Sequence, residues 1–528
     1  MTNDRRRLGG PSRRGVLAGA AGAGLLASGV ARAATAGTVA DTTAGKIRGG
    51  RQGGPLVFRS VPYGASTSGA NRFMPPQPPK PWAGVREATA FGDVSPQPHS
   101  PILTEVAGSL QQDPQGEDCL ALHVWTPALD HGKRPVMVWF HGGGYAVGSG
   151  SAPWYHGHRL ATRHDVVVVT VNHRLNAFGF LYLAEALGPR FADSGNVGML
   201  DCVAALGWVR DNIAGFGGDP GNVTIFGESG GAGKVSTLLG MPPAAGLFHR
   251  AIAESGAALR AISADEAARA TKSLLDKVGV GPNDVEKLQA LPPEAILGQI
   301  GPGFAFGPTV DGRSLPRSPF GPDAPEVSAD VPLMMGSNLT ESTFLPDTPL
   351  DPMGETELHA KLKGYLKADD AAVAKVVGAY RAENPGRDPV FLFQLISSDV
   401  WMRSQVLTQA DRKAAQKRGP MFLYQFNRLS PARGGKLHCP HGSEIPYAFD
   451  NIGSAPELTG NDAAAQRLAD RMSAAWVAFA RTGRPGAGWP AYTLEDRQVM
   501  VFDDASRVER DPGARQRAAL AEATPKTA

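Results

Sequence analysis

Four segments of the chain are apolar at nearly every position: Val136-Met-Val-Trp-Phe140, Val166-Val-Val-Val-Thr-Val171, Val223-Thr-Ile-Phe226 and Phe422-Leu-Tyr-Gln-Phe426. A strand with one wet face alternates apolar and polar residues. An unbroken run therefore predicts strands covered on both faces, as in a parallel sheet between helical layers. Between these runs the period lengthens to that of a helix. Ser263-Ala-Asp-Glu266 has the spacing of a capping box opening a helix that Gly279 can close, and Leu468, Met472, Ala475, Trp476 and Phe479 fall on one helical face. Alternation of strand and helix predicts an α/β fold. The Pro/Gly-rich stretches Met74–Trp82 and Gly301–Pro319 read as long surface connections. No internal repeat or low-complexity linker divides the chain, so one large domain with insertions is expected.

Composition narrows the class. With 528 residues, 42% hydrophobic and 20% charged, the chain resembles an ordinary soluble enzyme rather than a disordered or coiled-coil protein. Residues 1–33 hold six arginines against one acid, Asp4. They include Ser12-Arg13-Arg14-Gly15-Val16-Leu17, then a mild Ala/Gly/Leu stretch and Ala31-Arg32-Ala33. This is the pattern of a twin-arginine signal peptide with a small-residue cleavage site; its apolar part is too short and glycine-rich for a membrane span. Export to the periplasm or the exterior is expected, with residues 34–528 as the mature unit and no stable membrane association after cleavage. Removing residues 1–33 takes the formal net charge from +3 to −2, so the charge points to no nucleic-acid partner. The three cysteines, Cys119, Cys202 and Cys439, allow at most one disulfide, have no metal-ligand spacing, and fit unpaired packed thiols best.

The chemistry centres on Val223-Thr-Ile-Phe-Gly-Glu-Ser-Gly-Gly231. A β-branched run leads into a glycine-flanked serine, and a helix-compatible segment follows. This is the form of a nucleophile elbow, in which Ser229 projects its hydroxyl above the sheet. A serine hydroxyl needs a base and a group to orient that base. His441 lies in Lys436-Leu-His-Cys-Pro-His-Gly-Ser-Glu444, and Glu341 follows the apolar stretch Val331–Met335, giving the order Ser, acid, His. His141-Gly-Gly-Gly-Tyr145, directly after Phe140, is a side-chain-free loop of the kind an oxyanion hole requires.

Further ordered blocks make the resemblance specific. They are Val61-Pro-Tyr63, Arg72-Phe73, Glu117-Asp-Cys-Leu120, Val124-Trp-Thr-Pro127, Asn172-His-Arg-Leu175 and Gly179-Phe-Leu181. Phe216-Gly-Gly-Asp-Pro220, Phe248-His-Arg-Ala-Ile252, Glu254-Ser-Gly256, Asp311-Gly312 and His441-Gly-Ser-Glu444 complete the series. Over almost the whole mature chain the sequence resembles the type-B carboxylesterases, the family of cholinesterases and bacterial para-nitrobenzyl esterases. The resemblance implies an α/β-hydrolase fold whose mostly parallel sheet carries helical and loop insertions forming a gorge. It implies ester hydrolysis through an acyl-enzyme on a small-molecule ester, with Ser229 as nucleophile, Glu341 as acid and His441 as base. It assigns the oxyanion hole to Gly143, Gly144 and the N–H of Gly230. Ser255 matches a serine beside the catalytic acid, Glu228 the acidic neighbour of the nucleophile, and neither metal nor cofactor is implied.

Several positions depart from the family. Ser95 stands where a cysteine often pairs with Cys119, Gly230 replaces the usual alanine and is expected to loosen the turn, Asp201-Cys202 stands where the family usually has Asp-Gln, and His173 where it usually has Tyr. No tryptophan lies between Ser95 and Glu117, which disfavours a choline ester. His438 is expected to be a solvated loop residue rather than the base, and His156, His158 and His164 to be surface or rim residues rather than zinc ligands. Gly230-Gly-Ala-Gly-Lys-Val-Ser236 fails as a phosphate loop, because Glu228 occupies the first glycine's place and Val235 the magnesium-binding position. Amide or carbamate hydrolysis and a lipase remain open on the same machinery. A non-catalytic cholinesterase-like module is disfavoured, since Ser229, Glu341 and His441 are all present. Substrate choice falls to the insertions Pro96–Gln115, Ala257–Gly303 and Leu345–Met402.

Overall fold

The computed structural model describes residues 38–98, 113–282, 284–301, 304 and 306–524. The arginine-rich segment 1–33 and most of the insertion from Pro96 to Gln115 lie outside them. The apolar runs do become strands of one sheet. Across it the order is Arg507–Arg510, Gln498–Phe502, Met421–Phe426, Leu333–Asn338, Arg250–Glu254, Gly218–Glu228, Arg134–Phe140, Val167–Val171, Ala121–Thr126, Leu56–Pro62 and Gly50–Arg51. The seven strands from Gln498–Phe502 to Val167–Val171 run parallel, and antiparallel strands flank them on both sides. This is the mostly parallel sheet of an α/β-hydrolase.

The absence of alternation in the central strands has a direct structural cause. Val136, Val138 and Phe140 pack with Leu206 and Val209 of the helix Val197–Asn212 and with Val235 and Leu238 of the helix Gly230–Leu239. Met137 and Trp139, pointing the other way, pack with Leu468, Met472, Trp476 and Phe479 of the helix Ala463–Thr482. Both faces are dry, so both sets of alternate positions are apolar. The capping box forms as expected: the Ser263 hydroxyl accepts from the Glu266 N–H, Glu266 reaches back to the Ser263 N–H, and Gly279 ends the helix at φ 66°.

The insertion after Leu345 folds as three helices, Glu355–Leu366, Asp370–Glu383 and Pro389–Ser398, around their own apolar cluster of Leu358, Leu362, Val376 and Ile396. A π-helical turn, Asp399–Arg403, joins them to the helix Ser404–Ala415. Cys119, Cys202 and Cys439 are all buried and unpaired. In place of the family's cysteine, the Ser95 hydroxyl accepts from the Leu175 N–H at 3.2 Å. No helix among the described residues is long and apolar enough to cross a membrane.

Asp201, next to the unusual Cys202, has a structural partner. Its carboxylate takes a two-pronged bond from Arg174, at 2.6 and 2.8 Å, and a third from the Arg174 backbone N–H at 3.0 Å; both side chains are buried. A buried guanidinium left alone is far costlier than the pair. Asp201→Ala should therefore lower stability by about 3–5 kcal/mol, read as a fall in thermal unfolding temperature. Replacing both residues together, Arg174→Met with Asp201→Leu, should recover most of the loss.

Candidate active site

One residue separates the strand Gly218–Glu228 from the helix Gly230–Leu239: Ser229. It stands at φ 58°, ψ −122°, a conformation that a residue with a Cβ adopts only under constraint. The constraint is visible on both sides. The Ser229 N–H donates to the Glu254 carbonyl at 2.9 Å, and its carbonyl accepts from the Gly233 N–H at 2.9 Å. A Cβ on Gly227 would approach the Phe140 carbonyl oxygen to 2.5 Å, and one on Gly231 would collide with that same oxygen. The elbow and the end of the neighbouring strand thus touch through bare backbone.

The glycine loop begins at that strand end. Gly143 (φ 91°), Gly144 (φ 60°) and Tyr145 (φ 64°) follow one another in the left-handed region. Gly230, already in helical conformation, lies against them: a Cβ there would sit 2.5 Å from the Gly144 nitrogen. The expectation that Gly230 loosens the turn is thereby corrected. Glycine is needed because the loop leaves no room for a methyl group.

Glu341 and His441, one hundred residues apart, are joined. Glu341 opens a short 3₁₀ turn, Glu341–Phe344, beyond the strand Leu333–Asn338. One carboxylate oxygen accepts from the Asn338 N–H and the other from Nδ1–H of His441, both at 2.6 Å. This pairing assigns the imidazole proton to Nδ1. Nε2 of His441 lies 3.2 Å from a Glu228 carboxyl oxygen and has no hydrogen-bond partner among the described residues, Ser229 included. The imidazole is flanked by Trp401, 5.0 Å between centroids, and Phe344, 5.5 Å.

Ser255 lies in the same network but does not bond Glu341. Its hydroxyl donates to Glu444 at 3.0 Å, and Asn338 Nδ2 donates to the other Glu444 oxygen at 2.5 Å and to the Pro440 carbonyl at 2.9 Å. Glu444 therefore ties the His441 loop to the strand that carries Glu341. His438 is not a solvated residue as expected: it is half-buried, with Nδ1 2.8 Å from Gln394 Oε1 and its ring 4.7 Å from that of Phe391. His156 is held by Gln52 and packs on Phe91 and Trp125. No group of three His, Cys, Asp or Glu side chains among the described residues is placed to hold a metal ion.

The sequence profile of the Carboxylesterase family matches residues 36–519. The para-nitrobenzyl esterase of Bacillus subtilis (strain 168) is 33% identical over 501 residues, covering 91% of this chain and 98% of the relative. The phenmedipham hydrolase of Pseudarthrobacter oxydans is 34% identical over 498 residues, covering 90% and 97%. The crystal structure of the Geobacillus stearothermophilus carboxylesterase EST55 at pH 6.2 matches with a TM-score of 0.79 at 39% identity, over 92% of this chain and 100% of that one. The chain belongs to the carboxylesterase family.

As a carboxylesterase it hydrolyses carboxylic esters, and the electrostatics at His441 bear on how it does so. Burial pushes the Glu228 carboxyl upward from its ordinary range. Burial alone would lower His441, but Glu228 and Glu341 beside it favour the imidazolium and raise it. At 3.2 Å, each group favours the charged form of the other. The anion of Glu228 stabilises the charged imidazole, so removing it lowers the pH at which His441 becomes neutral. Glu228→Gln should shift the acid limb of kcat/KM for a p-nitrophenyl ester to lower pH by about one unit. An unmoved limb would mean that Glu228 carries no charge across that range.

Proposed function

We propose that this carboxylesterase cleaves small to medium organic esters by two acyl transfers through Ser229. The observation that carries the reading is the short Glu341–His441 bond, which leaves Nε2 of His441 without a hydrogen bond and facing the carboxyl of Glu228, the residue before the strained serine. His441 Nε2 takes the Ser229 proton as Oγ attacks the ester carbonyl, and the carbonyl electron pair moves onto its oxygen. The amides of Gly143, Gly144 and Gly230 receive that oxyanion; their support is the crowding of Gly230 against the loop. Collapse expels the alcohol, which takes the proton from His441. Water, deprotonated by the same imidazole, then attacks the acyl-enzyme and releases the acid and free Ser229. Glu341 fixes the tautomer and offsets the imidazolium charge, and the chemistry calls for neither metal nor cofactor.

Magnitudes order the contributions. General acid–base transfer commonly supplies about 10²–10⁴-fold, and one oxyanion donor about 2.7–4 kcal/mol of transition-state stabilisation. Trp401 and Phe344 beside His441 present aromatic surface to whatever reaches the serine, which fits uncharged, partly apolar esters. Ser229→Ala should be close to inert toward p-nitrophenyl esters, while the native enzyme gives a burst of p-nitrophenol and prefers short to medium acyl chains. His441→Ala should be severe and His438→Ala nearly silent. Equal burst and turnover in the native enzyme and Ser229→Ala would end the serine mechanism.

Residues 1–33 are read as a twin-arginine signal and residues 34–528 as a single catalytic domain. Support comes from the Ser12–Leu17 motif, the short apolar stretch after it and the family match beginning at residue 36. The working compartment is then the periplasm or the exterior. Replacing Arg13 and Arg14 together by lysine should retain the uncleaved precursor in the cytoplasm, measured by fractionation and immunoblot. Normal export of that variant would refute the signal assignment.

A further inference from the structure

Lys234 lies on the nucleophile helix five residues beyond Ser229, is 0% exposed and makes no ion pair among the described residues. A buried ammonium ordinarily lies against a carboxylate. This one instead donates to the backbone carbonyl of His141 at 2.9 Å and stands 5.1 Å from the centre of the Tyr145 ring. Both partners belong to the glycine loop. Burial brings the ammonium down to about 8, with Cys202 and Glu228 acting in the opposite sense, so at neutral pH the charge remains.

The loop needs fixing at both ends, because three consecutive residues, Gly143, Gly144 and Tyr145, take left-handed conformations. Downstream it is pinned by Asn176, whose backbone N–H donates to the Tyr145 carbonyl at 2.8 Å and whose side-chain amide donates to the Ala146 carbonyl at 3.1 Å. Upstream, Lys234 holds the His141 carbonyl. The His141 side chain adds a second tie: its Nδ1–H donates to the Gly142 carbonyl at 2.8 Å. That carbonyl shares its peptide plane with the N–H of Gly143, so fixing one aims the other.

His141 stacks on His173, 4.8 Å apart and 8° from parallel, and Nε2 of each ring is buried without a partner. Burial first, and then the charge of Lys234, hold both rings below the usual imidazole range, which keeps them neutral. Tyr145 covers the site from the other side, with its hydroxyl where a side chain on Gly233 would stand.

We propose that Lys234 is a positioning residue for ester hydrolysis: it ties the glycine loop to the nucleophile helix and, through His141, sets the aim of the Gly143 amide on the oxyanion. The proposal rests on the oxyanion role given above to Gly143, Gly144 and Gly230. It explains why a lysine stands inside a segment that only superficially resembles a phosphate loop. Its amine faces the backbone beside the reacting centre rather than a ligand.

The test compares Lys234→Met with the native enzyme, using p-nitrophenyl acetate and an alkyl trifluoromethyl ketone, which adds to Ser229 to form a tetrahedral oxyanion. Methionine fills a similar volume without burying a charge, so the unfolding temperature should not fall. We expect kcat to fall about 10–100-fold with KM within about twofold. The inhibition constant of the ketone should rise in proportion to the loss in kcat/KM. Native kcat and native ketone affinity in a folded Lys234→Met would overturn the proposal. If that variant does not fold, Lys234→Gln, which is uncharged and one atom shorter than lysine, decides: the same paired loss supports the proposal, and native values overturn it. Ser229→Ala separates the two readings, since an active Ser229→Ala refutes the serine mechanism, whereas an inert one beside a fully active Lys234→Met refutes only the role of the lysine.

Discussion

Where the strand Gly218–Glu228 meets its helix, the first helical turn presses on the end of the adjoining strand Arg134–Phe140 so closely that no side chain fits at Gly227 or Gly231 against the Phe140 carbonyl. Much of the site depends on that contact. The register pairs Phe140 with Gly227, so the elbow carrying Ser229 and the loop beginning at His141 leave the sheet side by side at its carboxyl end. The same closeness, one residue further on, brings Gly230 against Gly144. Two separate loops thereby meet through bare backbone beside Ser229. The backbone strain at Ser229 is maintained by the sheet beneath it, through the Glu254 carbonyl of the next parallel strand.

Around that contact the site gathers four buried glutamates, Glu228, Glu254, Glu341 and Glu444, and their surroundings divide them. Glu341 takes an amide N–H and an imidazole N–H, and Glu444 takes a hydroxyl and a side-chain amide. Glu254 takes the Trp476 indole N–H on one oxygen and nothing on the other, and Glu228 leaves one oxygen without a hydrogen bond. Burial pushes Glu228, Glu254 and Glu444 upward alike. Hydrogen bonds decide instead which carboxylates orient the histidine loop, Glu341 and Glu444 being the two that reach it or the strand beside it. The ammonium of Lys234 and the imidazole of His441 supply the opposite charge within the same dry volume.

Much of this was legible in the sequence, and the reason is locality. The unbroken apolar runs, the Ser263 capping box, the Ser229 elbow and the triple glycine are each written in a dozen residues or fewer, and each appears where those residues predict it. Glu341 and His441 were identified through motif order and family resemblance, and the structure joins them across one hundred positions. What local pattern does not carry is which side chain meets which. Ser255 reaches Glu444 rather than Glu341, His438 is captured by Gln394, and Gly230 is glycine because of Gly144. Lys234 had a visible oddity, a lysine in a helix buried on every side, but its partner lies 93 residues earlier in a backbone carbonyl.

The aromatic wall beside His441, Trp401 and Phe344, was the least legible part of the site. Trp401 comes from the insertion after Leu345, which buries Leu358, Val376 and Ile396 in a core of its own. A π turn at Asp399–Arg403 changes the helical phase just before the next helix, and at that turn the indole comes to lie over the imidazole. A residue inserted or lost there would rotate Trp401 away from His441 without altering the apolar positions that hold the insertion together. Trp401 itself packs on the main core, which also holds the sheet strands and the nucleophile helix, while the helices before it keep an apolar cluster of their own. The insertion also reaches the turn that carries Glu341, through Ser397 and Ser398 bonded to Ser342, so the aromatic wall and the histidine's partner are braced by the same helical unit.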